Sequence, residues 1–324
     1  MKGCRVVFVG TPDFALPALS GLLEAAYKVA GVITQPDKPG GRDLRTLPSP
    51  VKRFALERRL RVYQPTSLKS PDILEEISDL SPDVIVVVAY GKILPQEVLA
   101  IPVRGCINVH PSLLPKHRGP SPIASAILAG DEVAGVSIML MDAGMDSGPI
   151  LAQASHPISP IDTTGSLTGV LAEKGAALLL ETLPKWLAGE VQPRPQDEET
   201  ASFSKLIVKG DGEINWRLSA EEIWRQVRTY NPWPVSSTIW KGRSLRILEA
   251  TPILSSGELK VGEVIRLPIV GEGERHRPKE MSAGVGTGKG ILGLLRVQLE
   301  GRRAMFANEF IQGHRDFIGS VLPS

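Results

Sequence analysis

The residues most able to carry out chemistry in this 324-residue chain lie in two short segments, Asn108 to Gly119 and Met141 to Gly148. Asn108 and His110 begin the first segment, and Asp146 lies in the second. An amide, an imidazole and a carboxylate suit acyl transfer to an amine. Such a reaction must take a proton from the amine, stabilise an oxyanion and return a proton to the leaving nitrogen. We expect Asn108 and His110 to act as donors, and Asp146 to orient His110 and raise its pKa.

The same residues allow two other interpretations. An Asn-x-His pattern is also typical of a hydrogen-bonding pair at the end of a strand, and spacing alone does not exclude this. His110 and His117 would share a helix face as metal ligands, but Pro111 and Pro115 disfavour a helix there. The chain has no His-Glu-x-x-His motif and no cysteine cluster. We therefore expect no metal site.

The elements that position these residues are short apolar runs rich in β-branched side chains, separated by stretches with helical periodicity. Such alternation predicts an α/β fold with a doubly wound, mostly parallel, Rossmann-like sheet. In the last run, Asn108 and His110 project from the same face, and Pro111 ends the regular pairing. Ligands bind such sheets beyond the carboxyl ends of the strands. The runs are Arg5 to Gly10, Val29 to Thr34, Val84 to Ala89 and Cys106 to His110.

The rest of the chain predicts a second, smaller domain. Residues 190–206 are polar, contain prolines and lack periodicity, which indicates an exposed linker after a catalytic domain at 1–189. Residues 207–324 then contain one helical stretch, from Ala220 to Arg228, followed by short alternating runs joined by glycines. This pattern predicts a C-terminal β-barrel of the OB type.

Composition narrows the class of protein. The formal net charge is +2, with 42% hydrophobic and 22% charged residues, values typical of soluble globular proteins. Cys4 and Cys106 are the only cysteines, which favours free thiols in a reducing compartment. The apolar run from Met1 to Gly10 is too short for a signal peptide, and no stretch is long enough to span a membrane. We expect a cytoplasmic protein without membrane association. The turn after Gly10 lacks a GxGxxG motif, so a dinucleotide site has little support.

The segment from Asn108 to Gly119, together with Asp146, resembles the active-site signature of the folate-dependent formyltransferases. The similarity extends over essentially the whole chain, and it is strongest to the members that act on aminoacylated initiator tRNA. Five further motifs carry it: Val9-Gly-Thr-Pro-Asp-Phe14, Gln35-Pro-Asp-Lys-Pro-Gly-Gly-Arg42, Pro48-Ser-Pro-Val-Lys52, Val87-Val-Ala-Tyr-Gly91 and, in the second domain, Asn231-Pro-Trp-Pro234.

The resemblance implies a role for each of several residues. Asn108, His110 and Asp146 would be the catalytic trio, and the co-substrate would be 10-formyltetrahydrofolate. The acceptor would be the amino group of methionine on initiator methionyl-tRNA, and we expect a monomeric enzyme. The remaining implied contacts are Ser112, Leu113, Leu114, Pro115, Ala89 and Tyr90 with the folate, Phe14 with the methionyl side chain, and Arg42 with the acceptor stem.

Some alternatives stay open within this family. A small-molecule formyltransferase acting on a glycinamide or an amino sugar, or a hydrolase of the same folate, would use the same Asn, His and Asp. The second domain and the loop from Gln35 to Arg42 favour the tRNA acceptor. We expect the aromatic residues of the second domain, such as Trp216 and Trp233, to pack its core. The loop from Gly271 to Glu280 carries basic residues that could extend a tRNA surface.

Overall fold

A seven-stranded sheet organises the first of two compact units, which comprises residues 1–123, 132–158 and 166–205. The computed structural model describes residues 3–40, 45–253, 259–267 and 281–324. The strand order is β5-β2-β1-β6-β7-β8-β9, and a separate hairpin is formed by β3 and β4. The strands are β1 Arg5–Gly10, β2 Lys28–Ile33, β3 Lys38–Gly40, β4 Arg45–Leu47, β5 Val62–Tyr63, β6 Val84–Val88, β7 Cys106–His110, β8 Val133–Leu140 and β9 Ile150–Pro157.

The sheet is parallel from β5 to β7 and antiparallel from β7 to β9. The predicted mostly parallel α/β class is therefore confirmed, and all four predicted strands are present within one residue of their expected ends. All five residues of β6 are buried, as expected for a central parallel strand covered on both faces. The β8–β9 hairpin was not predicted.

Helices separate the parallel strands of this sheet. The apolar positions Leu19 and Leu22 of α1 are buried, as are Ile73 and Ile77 of α3. The start of α2 is capped by Ser49, whose hydroxyl accepts a hydrogen bond from the Lys52 amide at 3.1 Å. The helices up to residue 187 are α1 Leu16–Glu24, α2 Pro50–Glu57, α3 Pro71–Asp79, α4 Gln96–Leu99, α5 Pro122–Ala129 and α6 Thr164–Leu187.

The second unit comprises residues 124–131, 159–165 and 206–324, and contains a curled antiparallel sheet of order β10-β11-β14-β13-β12 with β15 paired to β14. Register shifts in β11 between Ile247 and Ala250 mark bulges, which increase the bend of a strand. The predicted helix is present as α7. The elements are α7 Ala220–Thr229, β10 Ser237–Trp240, β11 Arg243–Ile253, β12 Val264–Arg266, β13 Ala283–Gly286, β14 Ile291–Leu299, β15 Met305–Phe306 and α8 Ala307–Gly313.

The tryptophans of the second unit differ in burial. Trp216 is buried, and its indole N–H donates to the Thr238 hydroxyl at 3.1 Å. Trp240 packs edge-on against Phe310 at a centroid distance of 5.6 Å. Trp233, in contrast, is 56% exposed, so the expectation that it packs the core is wrong. It lies in a turn between Pro232 and Pro234, outside the strands and helices whose buried side chains form the core of this unit.

Residues 190–206, predicted to be an exposed linker, pair with other parts of the chain through their backbone. Arg194 pairs with Ile150 as an isolated antiparallel bridge, and Phe203 pairs with Arg118 as a parallel one. Ser204 is buried. The domain limits at 189 and 207 stay a prediction. Among the described residues, no helix combines the length and the apolar character needed to cross a membrane.

Candidate active site

The end of β7 places Asn108 and His110 side by side on one face of the sheet. Asn108 is in register with Val87 of β6 and Met139 of β8, and His110 is in register with Ser137 of β8. Asn108 is half-buried and His110 is only 4% exposed. Because alternate residues of a strand project to the same side, the amide and the imidazole share one face at the carboxyl end of the parallel strands.

The imidazole of His110 lies between two acceptors. Its Nδ1 is 3.7 Å from Oδ2 of Asp146, and its Nε2 is 3.2 Å from the carbonyl oxygen of His117. A neutral ring has one N–H and can donate to only one of them. A ring that gains a proton during the reaction would donate towards both.

Burial lowers the pKa of His110 below its ordinary value of 6.5, although the charge of Asp146 opposes this effect. Asp146 raises this pKa, as predicted, but the loss of hydration has the larger effect, so the net shift is downward. His110 is neutral at pH 7. It can accordingly accept a proton, and the product imidazolium would be stabilised by Asp146.

Asp146 is fixed by contacts that are distant in the sequence. Its carboxylate Oδ2 accepts a hydrogen bond from the Gly119 amide at 2.8 Å. Its backbone carbonyl accepts one from Nε2 of Gln196 at 2.7 Å, and the same nitrogen donates to the carbonyl of Gly148 at 2.7 Å. Asp146 has a φ of +53°, a left-handed conformation that aspartate tolerates better than most residues. A Cβ at Gly148 would collide with the Leu140 carbonyl, so the turn requires glycine.

A buried arginine supports this arrangement. The guanidinium of Arg118 makes a bidentate ion pair with Glu198, at 2.9 and 2.7 Å, and its Nε donates to Oε1 of Gln196 at 3.0 Å. The Arg118 side chain is nearly inaccessible, whereas Glu198 is exposed. Arg118 thus orients Gln196, which in turn orients the loop of Asp146. Sequence reasoning missed Gln196 and Glu198, because both lie in the stretch interpreted as a linker.

The segment predicted to form a folate wall is rigidly held. The Ser137 hydroxyl donates to the carbonyl of Ser112 at 2.7 Å and accepts from the amide of Leu114 at 3.0 Å. Gln153 Nε2 donates to both Ser137 Oγ and the Leu114 carbonyl, each at 2.9 Å. The Ser112 hydroxyl donates to the Lys116 carbonyl, and the Leu114 side chain packs in an apolar cluster with Met139 and Ile150. Leu113 and Pro115 are half-buried and remain partly accessible.

Ala89 and Tyr90 follow β6 and differ in accessibility. Ala89 is exposed and has a φ of +47°, so the chain turns sharply at the end of the strand. The Tyr90 side chain is buried in the core cluster that includes Val87, and burial raises the pKa of its phenol. Its carbonyl accepts hydrogen bonds from Nε2 of Gln35 at 2.6 Å and from the hydroxyl of Thr11 at 3.3 Å. Ala89 is therefore the accessible member of the pair.

Of the two residues predicted to contact the acceptor, the structure describes Phe14 but not Arg42. Phe14 lies in a 3₁₀ turn, Asp13–Ala15, directly after β1 and is 8% exposed. Arg42 lies outside the described residues, as does the loop from Gly271 to Glu280. Asp37, before Arg42 in the chain, is hydrogen-bonded to two residues that follow it. Its carboxylate accepts from Nζ of Lys52 at 2.5 Å and from Nε2 of Gln64 at 2.7 Å. These bonds hold the pKa of Asp37 below its ordinary value.

No group of three or more histidine, cysteine, aspartate or glutamate side chains is positioned to hold a metal ion in the described ranges. Among these residues, the His110 ring faces the Asp146 carboxylate and the His117 carbonyl, and Asn108 lies two residues before it on the same strand. This set suits proton transfer and oxyanion binding.

Comparison with known proteins assigns this chain to a family. A model described as formyl transferase matches residues 4–183, and one described as formyl transferase, C-terminal domain, matches residues 206–315. The chain belongs to the formyl transferase family. The formyl transferases most similar to it include the methionyl-tRNA formyltransferase of Chloroflexus aurantiacus, 46% identical over 97% of this chain and 98% of the relative. That of Dehalococcoides mccartyi is also 46% identical, over 98% of both chains.

Solved structures share the formyl transferase fold at low sequence identity. HypX from Aquifex aeolicus in complex with tetrahydrofolic acid is 18% identical with a TM-score of 0.61, and the match covers 95% of this chain and 46% of that one. The N-formyltransferase from Helicobacter canadensis in complex with folinic acid and dTDP-3-aminofucose is 18% identical with a TM-score of 0.64. This match covers 90% of this chain and 99% of that one.

Proposed function

We propose that this chain transfers the formyl group of 10-formyltetrahydrofolate to the α-amino group of methionine on initiator methionyl-tRNA. The observation that carries the proposal is the His110–Asp146 pair beside Asn108, in a chain that is similar over nearly its full length to methionyl-tRNA formyltransferases. The product would be N-formylmethionyl-tRNA, which is used in translation initiation. We further propose that the enzyme is cytoplasmic and monomeric.

Each member of the trio has a distinct task in this reaction. A bond forms between the methionyl nitrogen and the formyl carbon, and the bond from that carbon to N10 of the folate breaks. The Asn108 amide donates a hydrogen bond to the oxyanion that develops on the formyl oxygen. His110, neutral at pH 7, takes the proton that the attacking amine loses, and this proton is then delivered to N10.

Asp146 acts through His110 in this scheme. Its carboxylate favours the protonated imidazole that forms during the reaction, and it fixes the orientation of the ring. The hydrogen bond from Gly119 and the contact of Gln196 with the Asp146 carbonyl keep the carboxylate in place before substrates bind. Such preorganisation avoids paying for reorganisation during the chemical step.

The substrates would occupy the loops beyond the carboxyl ends of the parallel strands. The segment from Ser112 to Pro115 and the exposed Ala89 form the folate side of the proposed site, with Tyr90 contributing backbone only. Phe14 would contact the methionyl side chain, and Arg42 would contact phosphates of the acceptor stem. Gln35 donates to the Tyr90 carbonyl, and so the segment leading to Arg42 is attached to the folate side.

The proposal is tested with the purified protein, 10-formyltetrahydrofolate and methionyl-tRNA, by measuring formylation by the wild type and by Asn108→Ala and His110→Asn variants. We expect the first variant to lose about 10²–10³ in kcat, the amount typical of one oxyanion donor. The second should lose nearly all turnover. Near-normal kcat in either variant, with the fold intact by circular dichroism, would contradict the assigned roles.

A further inference from the structure

Phe203 is an exposed aromatic residue on a backbone that is tightly fixed. Its side chain is 65% exposed. On one side of it, the Arg118 amide donates to the Ser202 carbonyl at 2.8 Å, and on the other the Ser204 amide donates to the Arg118 carbonyl at 2.7 Å. An exposed ring on such an ordered backbone can bind a flat ligand at little cost in conformational entropy.

The serines on both sides of Phe203 strengthen this attachment. The Ser202 hydroxyl accepts a hydrogen bond from the His117 amide at 2.9 Å, and the Ser204 hydroxyl accepts one from the Ser121 amide at 3.0 Å. Ser204 Oγ also donates to the Arg118 carbonyl at 3.0 Å. Since both serines face the segment from 117 to 121, the intervening Phe203 side chain projects away from their side.

The segment that holds Phe203 also contacts His110 and Asp146. The His117 carbonyl is 3.2 Å from Nε2 of His110, and the Gly119 amide donates to Asp146. Phe203 pairs with Arg118, which lies between these two residues. With one strand spacing of about 4.8 Å between paired backbones, the ring lies roughly 8–10 Å from the Asp146 carboxylate.

We propose that Phe203 stacks against the terminal nucleobase of the acceptor, the base of the nucleotide whose ribose carries the methionyl ester. This inference rests on the proposed function. The amine to be formylated must approach His110 and Asp146, and the ester, ribose and base extend from it in sequence. A base therefore reaches a ring at this distance, and every base offers a face that stacks on an aromatic side chain.

The methionyl side chain fits this position less well. Only four bonds separate the reacting nitrogen from the thioether sulfur, a reach of roughly 4–5 Å at ordinary bond lengths. An alkyl thioether also gains most when it is enclosed, whereas the Phe203 side chain is 65% exposed. The guanidinium of Arg118, which is itself buried, lies 5.9 Å from the centroid of this exposed ring.

The test is a double-mutant cycle between Phe203 and the base. Methionyl-tRNA is prepared by ligating a chemically acylated dinucleotide that carries either adenine or no base at its last position. Wild type, Phe203→Ala and Phe203→Tyr are compared in kcat/KM on both substrates. Val103→Ala serves as the matched control, because Val103 is an apolar residue of the same unit with 88% exposure.

We expect Phe203→Ala to lower kcat/KM by roughly 10- to 100-fold on the adenine-bearing tRNA and by less than about threefold on the baseless one. Phe203→Tyr and Val103→Ala should stay near wild type on both. An equal loss on both substrates, or no loss on either, would overturn the stacking assignment. Failure of the wild type to formylate either tRNA would instead refute the proposed function.

Discussion

Replacing Asp146 by Asn isolates the electrostatic contribution of this residue. An asparagine at this position keeps an oxygen that can accept the hydrogen bond from the Gly119 amide, so the loop should remain in place. What disappears is the negative charge 3.7 Å from Nδ1 of His110. The unprotonated enzyme is little affected, whereas the imidazolium that forms during the reaction loses its counter-charge.

The magnitude follows from this distance. Two unit charges 3.7 Å apart attract by about 4 to 5 kcal/mol at an effective dielectric constant of about 20, the value that best reproduces measured electrostatics even for buried groups. At 1.36 kcal/mol for each factor of ten, kcat of Asp146→Asn should fall by about 10³-fold. The assay is single-turnover formylation of methionyl-tRNA at saturating 10-formyltetrahydrofolate, so that product release does not mask the chemical step.

Asp142→Asn is the matched control for this variant. Asp142 lies in the same loop and is exposed, and its carboxylate accepts hydrogen bonds from the Ser147 hydroxyl and the Gly144 amide. Its substitution removes a charge from the loop without touching His110, and should change kcat by less than about threefold. If Asp146→Asn stayed within tenfold of wild type, or if both variants lost activity equally, the role given to Asp146 would be wrong.

Three further predictions concern stability and RNA binding. The pKa of His110 lies below 6.5 in the folded state, so between pH 6.5 and that pKa the unfolded chain binds a proton that the folded chain does not. The free energy of unfolding should therefore decrease as the pH falls through this range, by up to about 1.4 kcal/mol per pH unit. Urea unfolding at pH 7 and 5.5 checks this prediction. In the His110→Asn variant, the free energy of unfolding should change less between these two pH values. Arg42→Ala should weaken tRNA binding and reduce the slope of log K against log salt by about one, as measured by filter binding; an unchanged slope would refute the phosphate contact. Ser137→Ala leaves the buried Leu114 amide without its acceptor and should cost about 1–3 kcal/mol in thermal unfolding, against little change for Ser155→Ala on the exposed part of β9.

The local parts of the site are predictable from sequence. Asn108 and His110 share a face because a strand has a two-residue period, and the proline after His110 ends the regular pairing. The parallel strands follow from apolar runs of the right length. Asp146 joins the trio through the family resemblance, and the structure places it beside His110.

The long-range parts are not predictable in this way. Gln196 is 50 residues from Asp146 in the chain, and Glu198 is 80 residues from Arg118, so no spacing rule connects them. The direction in which the His110 pKa shifts depends on how completely its neighbours exclude water, and a sequence does not show this. A Pro-Trp-Pro motif likewise does not reveal on which side the ring lies.

The central claim is tested most directly by an acceptor competition. The purified protein and 10-formyltetrahydrofolate are incubated with methionyl-tRNA, free methionine, glycinamide ribonucleotide and a dTDP-amino sugar together, and all products are identified by mass spectrometry. We predict that formyl groups appear only on the methionyl-tRNA, as N-formylmethionine released by mild base. Formylation of a small acceptor, or release of formate alone, would contradict the claim that this chain acts on the charged tRNA.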